Sequence, residues 1–178
     1  MIKNQYTFPK SSFLGMAKDT SLVMEKILSN KNVLKLIFYT GADWKDKPDL
    51  TADNIKTLFK TKQISNIPKI EVDKDKKTYL RVSFDEFFPN GTNTFYRDCV
   101  MELKILCHFD DWDLNDYELK PYRLAGELDS MFNGVKMTGI GVLNFLSAGM
   151  DVYDNEYGGI TLRYLITYGD EDKVEPLE

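Results

Sequence analysis

Residues 95–134 decide the fold of this chain and read FYRDCVMELKILCHFDDWDLNDYELKPYRLAGELDSMFNG. Within this stretch, residues 98–109 alternate between two sets of side chains, the two-residue period of a β-strand. One set is wholly apolar and the other is half polar. This pattern is typical of an antiparallel sheet that is covered on one face and partly open on the other. The apolar set comprises Cys99, Met101, Leu103, Ile105 and Cys107, and the mixed set comprises Val100, Glu102, Lys104, Leu106 and His108.

A helix is predicted directly after this strand. Lys120 and Pro121 provide its start, since proline is well tolerated in the first helical turn, and Asn133-Gly134 provides its stop. Its apolar side chains fall on one face, which we expect to cover the apolar face of the sheet. That face carries Leu124, Leu128, Met131 and Phe132. Further strands are predicted at residues 78–84, 139–145 and 159–168.

The N-terminal third is predicted to be helical. Asp19 or Thr20 can cap a segment whose apolar stripe continues past Asn30, which predicts one helix with a break or two short helices. Thr51 is expected to cap another short helix. Trp44 lies in a polar run, where it could form a contact surface; folding back as a lid on the core is the more common outcome for such a residue.

These elements predict an α+β protein with an antiparallel β-sheet, helices packed on one face and a helical N-terminal region. We divide the chain into a flexible arm at residues 1–18, a single domain at 19–168 and an acidic, mobile tail at 169–178. Residues 73–77 form a charged turn, and residues 85–94 form a long connection that can project beyond the sheet.

The composition excludes several classes of protein. With 43% hydrophobic and 13% aromatic residues in 178, the chain should fold instead of remaining disordered. A net charge of −5 with scattered Lys and Arg argues against nucleic-acid binding, and the absence of a long apolar run argues against membrane association. Cys99 and Cys107 are too far apart along one strand to form a disulfide, which suggests buried thiols and assembly inside a cell.

One set of polar residues fits a metal-dependent nuclease. Glu102 and Lys104 have the E-x-K form and share a strand face, and with Asp98 or Asp85 they could hold a magnesium ion for phosphodiester cleavage. An exposed cross-strand pattern of charges predicts the same residues and is far more common.

The acidic loop that follows the strand fits a metal site poorly. Residues 111–115 have the D-x-D-x-N form of a calcium loop, but Asp116 replaces the turn glycine and Tyr122 replaces the bidentate glutamate. His108 has no second histidine as a partner and is more often a structural hydrogen-bonding group. We therefore expect no metal.

Nucleophilic and cofactor-dependent chemistry is equally unsupported. Cys99 and Cys107 lie on the apolar face, where burial suppresses thiolate formation. Gly139 and Gly141 lack a third glycine at dinucleotide spacing because Asn144 occupies that position. We expect no catalysis and no cofactor.

The order of elements resembles that of the tail terminator and tail-completion proteins of tailed bacteriophages. The resemblance covers residues 64–168 and includes four local patterns. The chain departs from a minimal terminator in its long N-terminal extension, which leaves room for another neck or connector ring protein. The patterns are YRD at residues 96–98, Cys107-His108 with Trp112, PYR-x-A at residues 121–125, and Asn133-Gly134.

The resemblance implies a structural virion protein that is assembled in the host cytoplasm into a homo-oligomeric ring at the neck or tail. Its partners would be other neck, portal or tail proteins, with DNA only passing through the lumen and no membrane involved. A ring requires two different patches per subunit, for which residues 1–12, 87–94 and 153–158 are suited. A magnesium-dependent nuclease and a small adaptor protein are the alternatives. The candidate interface residues are Trp112, Arg123, Arg97, Phe87 and Phe88.

Overall fold

The computed structural model describes residues 13–67, 69, 72, 75–92, 96–115, 117–137 and 141–168. The acidic tail and the first twelve residues of the predicted arm lie outside the described residues. So do residues 73, 74, 93 and 94 of the predicted connections, residues 139 and 140 of a predicted strand and Asp116 of the acidic loop.

The described residues form four α-helices, of which the first two lie end to end. Asn30 separates them, because its side-chain oxygen accepts hydrogen bonds from the backbone N–H groups of Asn32 at 2.9 Å and Val33 at 3.1 Å. This confirms the predicted break as two helices. The first begins at Phe13, so the predicted start at Asp19 or Thr20 is wrong, and residues 13–18 belong to a helix and not to the flexible arm. The helices are α1 Phe13–Ser29, α2 Lys31–Phe38, α3 Ala52–Lys60 and α4 Lys120–Phe132.

The predicted helix boundaries at Thr51 and Pro121 are confirmed. The Thr51 hydroxyl accepts from the Asn54 N–H at 3.3 Å, while the Asn54 side chain accepts from the Thr51 N–H at 3.1 Å, which forms a reciprocal capping box. Pro121 occupies the first turn of α4, which ends at Phe132.

Six strands form one mixed sheet in the order β1-β2-β3-β6-β5-β4. All neighbouring pairs are antiparallel except β1 and β2, which are parallel. The α+β prediction is confirmed, and the short parallel strand β1 is the one departure from a purely antiparallel sheet. The strands are β1 Ile64–Ser65, β2 Thr78–Pro89, β3 Arg97–His108, β4 Lys136–Met137, β5 Gly141–Val152 and β6 Tyr157–Tyr168.

Strands β2, β5 and β6 are longer than predicted. β2 continues to Pro89, so residues 85–88 belong to the strand and not to the projecting connection. A bulge between Asp85 and Phe88 lets it do so, with Glu86 in the left-handed region at φ 52°. β5 continues to Val152 and pairs with β6 from Leu143 onwards. β6 begins at Tyr157, so Tyr157 and Gly158 belong to this strand and not to the predicted acidic loop at residues 153–158.

The core lies between the helices and one face of the sheet. The apolar side chains of β3 that alternate from Cys99 to Cys107 are fully buried against α1, α2 and α4, which confirms the predicted covered face. Trp44 is buried in the same cluster, so the lid interpretation is confirmed for this residue. On the opposite face, Tyr79, Leu106 and Tyr157 form a small second cluster with Val72 packed against it.

Candidate interaction surfaces and polar sites

The three residues of the nuclease hypothesis have structural partners on the open face of the sheet. The Glu102 carboxylate forms an ion pair with the Arg163 guanidinium at 2.9 Å, and the Lys104 ammonium forms an ion pair with Asp151 at 3.2 Å. Asp98 accepts from the Asn90 amide at 3.0 Å and from the Thr167 hydroxyl at 2.7 Å.

These residues are not gathered at one point. Asp98 and Glu102 lie four residues apart on one strand, which places their Cα atoms about 13 Å apart. Asp85, the alternative carboxylate, accepts the backbone N–H of Glu86 at 2.8 Å. The arrangement resembles the cross-strand charge pattern more than a metal centre.

The acidic loop holds a buried ion pair. Asp111 and Lys120 lie almost completely out of contact with solvent, and their side chains are directly paired. Asp111 also accepts from the Gly41 N–H at 2.7 Å, and Lys120 donates to the Tyr39 carbonyl at 2.9 Å. The pair therefore fastens the start of α4 to the segment after α2. This buried ion pair was not predicted from the sequence, because no residue near Lys120 in the chain distinguishes it from a solvent-exposed lysine.

The remaining candidate ligands are also held by structural contacts. The His108 ring nitrogen Nδ1 accepts from the Asp110 N–H at 3.2 Å, and the ring packs edge-on against Tyr157 at 5.1 Å between centroids. Burial raises the pKa of Cys99 and of Cys107 to about 12, so both stay protonated near neutral pH. Within the described ranges, no three His, Cys, Asp or Glu side chains lie together as metal ligands.

The five predicted interface residues fall into two separate groups. Phe87, Phe88 and Arg97 come together where β2 and β3 meet at one end of the sheet, and all three are exposed. Trp112 and Arg123 belong to the other end, beyond His108. Arg97 and His108 are the two ends of β3, about 36 Å apart at the rise of a strand. The five residues therefore do not form one patch.

The side chains of Trp112 and Arg123 are held by contacts with other residues of the same chain. The Trp112 indole N–H donates to the Cys107 carbonyl at 3.2 Å, and its ring packs on Phe109 at 5.1 Å. Arg123 forms ion pairs with Glu127 at 2.6 Å and Glu118 at 3.3 Å. Its guanidinium also lies over the Trp44 ring at 5.7 Å. These contacts give both residues structural roles, and their part in an interface stays a prediction.

A group of exposed apolar side chains lies along β5, which was not singled out from the sequence. One edge of β5 pairs with β6, and the other pairs with β4 at Gly141 and Val142. On this outer edge the Leu143 carbonyl also accepts from the Gly134 N–H at 2.8 Å and the Leu143 N–H donates to the Val135 carbonyl at 3.2 Å, while the Phe145 N–H donates to the Asn133 side chain at 3.4 Å. Among the described residues, no strand pairs with the outer edge over residues 146–152. Six apolar side chains in and next to this strand are 40–78% exposed: Val142, Phe145, Leu146, Met150, Val152 and Tyr153.

The sequence did contain a signal for this edge. Between Gly141 and Val152 the strand has no Lys, Arg or Pro, and Asp151 is its one charged residue. Natural edge strands usually carry such residues, because they prevent pairing with another chain. Because β5 was predicted to end at residue 145, the lack of charged residues and proline over its full length was not apparent.

No helix in the described ranges is both long enough and apolar enough to cross a membrane.

Comparison with known proteins gives one result that covers most of the chain. No curated protein matches the chain. The model of the family YomW, which is phage-derived and of the Bacillus prophage type, matches residues 30–166 and so includes all six strands except the end of β6. The chain therefore belongs to the YomW family and is a phage-related protein.

Proposed function

We propose that this protein is a structural subunit without catalytic activity, which assembles into a homo-oligomeric ring at the neck or tail of a tailed phage. It would act there as a tail terminator or a head–tail joining protein. The observation that carries the proposal is the outer edge of β5 over residues 146–152, an exposed apolar strand edge in a protein of a phage-derived family. An exposed edge of this kind is a template for pairing with another chain.

The polar residues support this proposal over the nuclease. A magnesium centre requires carboxylates that converge on one point and are available to the ion. Asp98 and Glu102 instead have partners on the neighbouring strands, and they lie well apart on β3. Lys104 has Asp151 as its partner, although it would have to face a phosphate in a nuclease.

The distribution of exposed residues supports assembly through two different patches. Phe87, Phe88 and Arg97 lie at one end of the sheet, and the apolar edge of β5 lies along one side of it. Head-to-tail contacts of this kind generate closed rings when the rotation closes. The net charge of −5 suits a lumen through which DNA passes without being held.

Light scattering coupled to size-exclusion chromatography, followed by negative-stain imaging, tests the proposal on the full chain. We expect rings or stacked polymers at micromolar concentration and no cleavage of DNA with magnesium. A stable monomer that cuts DNA, with cutting lost in Glu102→Gln, would establish the nuclease instead. The matched control is Glu156→Gln, which removes an exposed carboxylate in the β5–β6 turn.

A further inference from the structure

We infer that two unassembled copies of this chain cover each other's open edge, because residues 146–152 of β5 pair antiparallel with the same residues of a second copy. The contact has a twofold axis at Gly149. This inference rests on the proposed function, since it states how the edge that carries that function is covered before a subunit enters the ring. An open apolar edge is otherwise a template for pairing with unrelated chains.

Alternate residues of β5 direct their backbone N–H and C=O groups away from β6. The Tyr153 N–H donates to the Tyr157 carbonyl at 2.9 Å, so Tyr153 faces β6 at the end of the hairpin. In an antiparallel ladder, every second residue exchanges hydrogen bonds with the neighbouring strand, and the residues between them face the other side. The backbone groups of Ala148, Met150 and Val152 therefore point to the open edge, where no described strand pairs with them.

The free parts of two such edges match in length by symmetry. β4 and residues 133–135 occupy the outer edge of β5 as far as Phe145. Pairing about Gly149, the midpoint of the free stretch, places Leu146 of one copy beside Val152 of the other. The second strand therefore ends where the occupied part of the first begins, and neither copy has to release an existing hydrogen bond.

Apolar side chains meet on one face of this contact. Ala148 and Met150 lie opposite Leu162 and Ile160 of β6, which belong to the core, so both are on the face of the sheet that the helices cover elsewhere. Met150 is 48% exposed, and Val152 on the same face is 78% exposed. In the twofold contact Met150 of each copy lies opposite Ala148 of the other, so exposed apolar area is buried when the dimer forms.

The opposite face of the contact brings no like charges together. Asp151 is the one charged residue of β5, and in this register it lies opposite Ser147 of the second copy. Asp151 keeps Lys104 and the Thr161 hydroxyl as partners within its own chain. Gly149 leaves room at the axis, since a Cβ there would have no atom within 4 Å. Pairing therefore desolvates no unpaired charge.

The charges beyond the two ends of the pairing are complementary. The β5–β6 turn exposes Asp154 and Glu156. The turn follows Val152 directly, so in the contact it lies next to the part of the second copy's edge that β4 occupies. Lys136 is exposed on that strand. The twofold axis generates this acidic–basic contact twice, which favours a second copy of this chain over an unrelated strand.

One engineered cysteine tests the contact in the full-length protein. Gly149→Cys lies at the twofold axis, where opposed Cα atoms of an antiparallel pair are about 4.5–5.5 Å apart and within disulfide reach. Val142→Cys is the control, since Val142 lies on the same strand at 40% exposure but is paired with β4. After mild oxidation below the concentration of ring formation, we expect covalent dimers and nothing larger from Gly149→Cys, and monomers from Val142→Cys. The native thiols are fully buried and do not compete.

The same variant separates this inference from the proposed function. Covalent Gly149→Cys dimers should form no rings, and reduction should restore ring formation, because one edge cannot make both contacts at once. Rings that form equally well from the oxidised dimers would overturn the inference. Rings of the wild-type protein without any cross-link in Gly149→Cys would also overturn it and leave the proposed function. Cross-linked dimers of a protein that forms no rings at any concentration would remove the proposed function and leave the edge contact.

A second measurement does not depend on disulfide geometry. Ala148→Pro removes a backbone N–H that faces the open edge and leaves the hydrogen bonds to β6 in place, whereas the control Ala148→Thr keeps this N–H. By sedimentation velocity we expect the dimer to be at least about tenfold weaker in Ala148→Pro than in Ala148→Thr. Circular dichroism should be the same for both variants. Equal dimer stability in the two variants would contradict the inference.

Discussion

The strands β3 and β5 have the same length and similar apolar content but opposite surroundings. β3 lies in the middle of the sheet, with strands on both sides and helices over its apolar face, so Leu103 is completely buried. β5 lies towards one side of the sheet, where Leu143 still belongs to the core but Leu146 is 45% exposed. The difference shows that strands of similar composition are buried in one place and largely exposed in another, according to what covers each strand.

The largest effect is expected from adding one methyl group next to β3. A Cβ at position 159 would lie 1.9 Å from the Ile105 carbonyl oxygen, whereas a Cβ at position 149 would have no atom within 4 Å. Gly159→Ala should therefore separate β3 from β6 and cost more than about 3 kcal/mol of unfolding free energy, above the usual range for overpacking. Gly149→Ala should leave stability equal or raise it by up to about 1 kcal/mol. Urea unfolding measures the free energy of unfolding of both variants. Similar losses in Gly159→Ala and Gly149→Ala would contradict the contrast between β3 and β5.

A matched pair of leucines gives the next effect. Leu103→Ala creates a cavity in the closed core and should lower the free energy of unfolding by about 2–5 kcal/mol. Leu146→Ala removes the same atoms from an exposed edge and should change it by less than about 0.5 kcal/mol. The measurement is chemical denaturation at a concentration below assembly. A large loss for Leu146→Ala would mean that β5 belongs to the monomer core.

The thiols of β3 give a pH-dependent prediction. Burial raises the pKa of Cys99 and Cys107 from 9.0 to about 12, so between these values the unfolded chain releases protons that the folded chain retains. The contribution of the two thiols to the free energy of unfolding is therefore fully present below about pH 9. It falls as pH rises towards 12, by up to about 1.4 kcal/mol per pH unit for each thiol. The double variant Cys99→Ala with Cys107→Ala should show a shallower loss.

Labelling with a thiol reagent extends this test to the edge. At pH 8 both native thiols should react only after denaturation, whereas Met150→Cys on β5 should react in the folded protein. Rapid labelling of the wild-type chain under native conditions would contradict the burial of β3.

The smallest effect concerns the ion pair that spans the open face. Lys104→Gln breaks its contact with Asp151, and both side chains are more than a third exposed. Solvent screening limits the expected loss to about 0.2–1 kcal/mol of unfolding free energy. Thermal unfolding at low and high salt measures it, and the difference from wild type should shrink as salt is added. An effect of several kcal/mol would show that this charge is part of the core.

Local patterns predicted a large part of the fold. The alternation in β3, the caps at Asn30 and Thr51 and the proline start of α4 each depend on residues close together in sequence. The boundaries of β2 and β5 were misjudged, since a bulge lets β2 continue past Glu86, which has a positive φ, and a long hairpin extends β5. The role of Lys120 was missed because its partners Asp111 and Tyr39 are brought together by the fold.

The sequence by itself determined the α+β class and the covered face of β3. Periodicity and capping are short-range properties, so they can be read without knowing what packs where. The tertiary structure alone decided that, among the described residues, residues 146–152 of β5 stand at an open edge and that β2 and β5 run in opposite directions. Strand order depends on contacts between residues far apart in the chain. Whether the apolar side chains of a strand are buried or exposed depends on which elements pack against it.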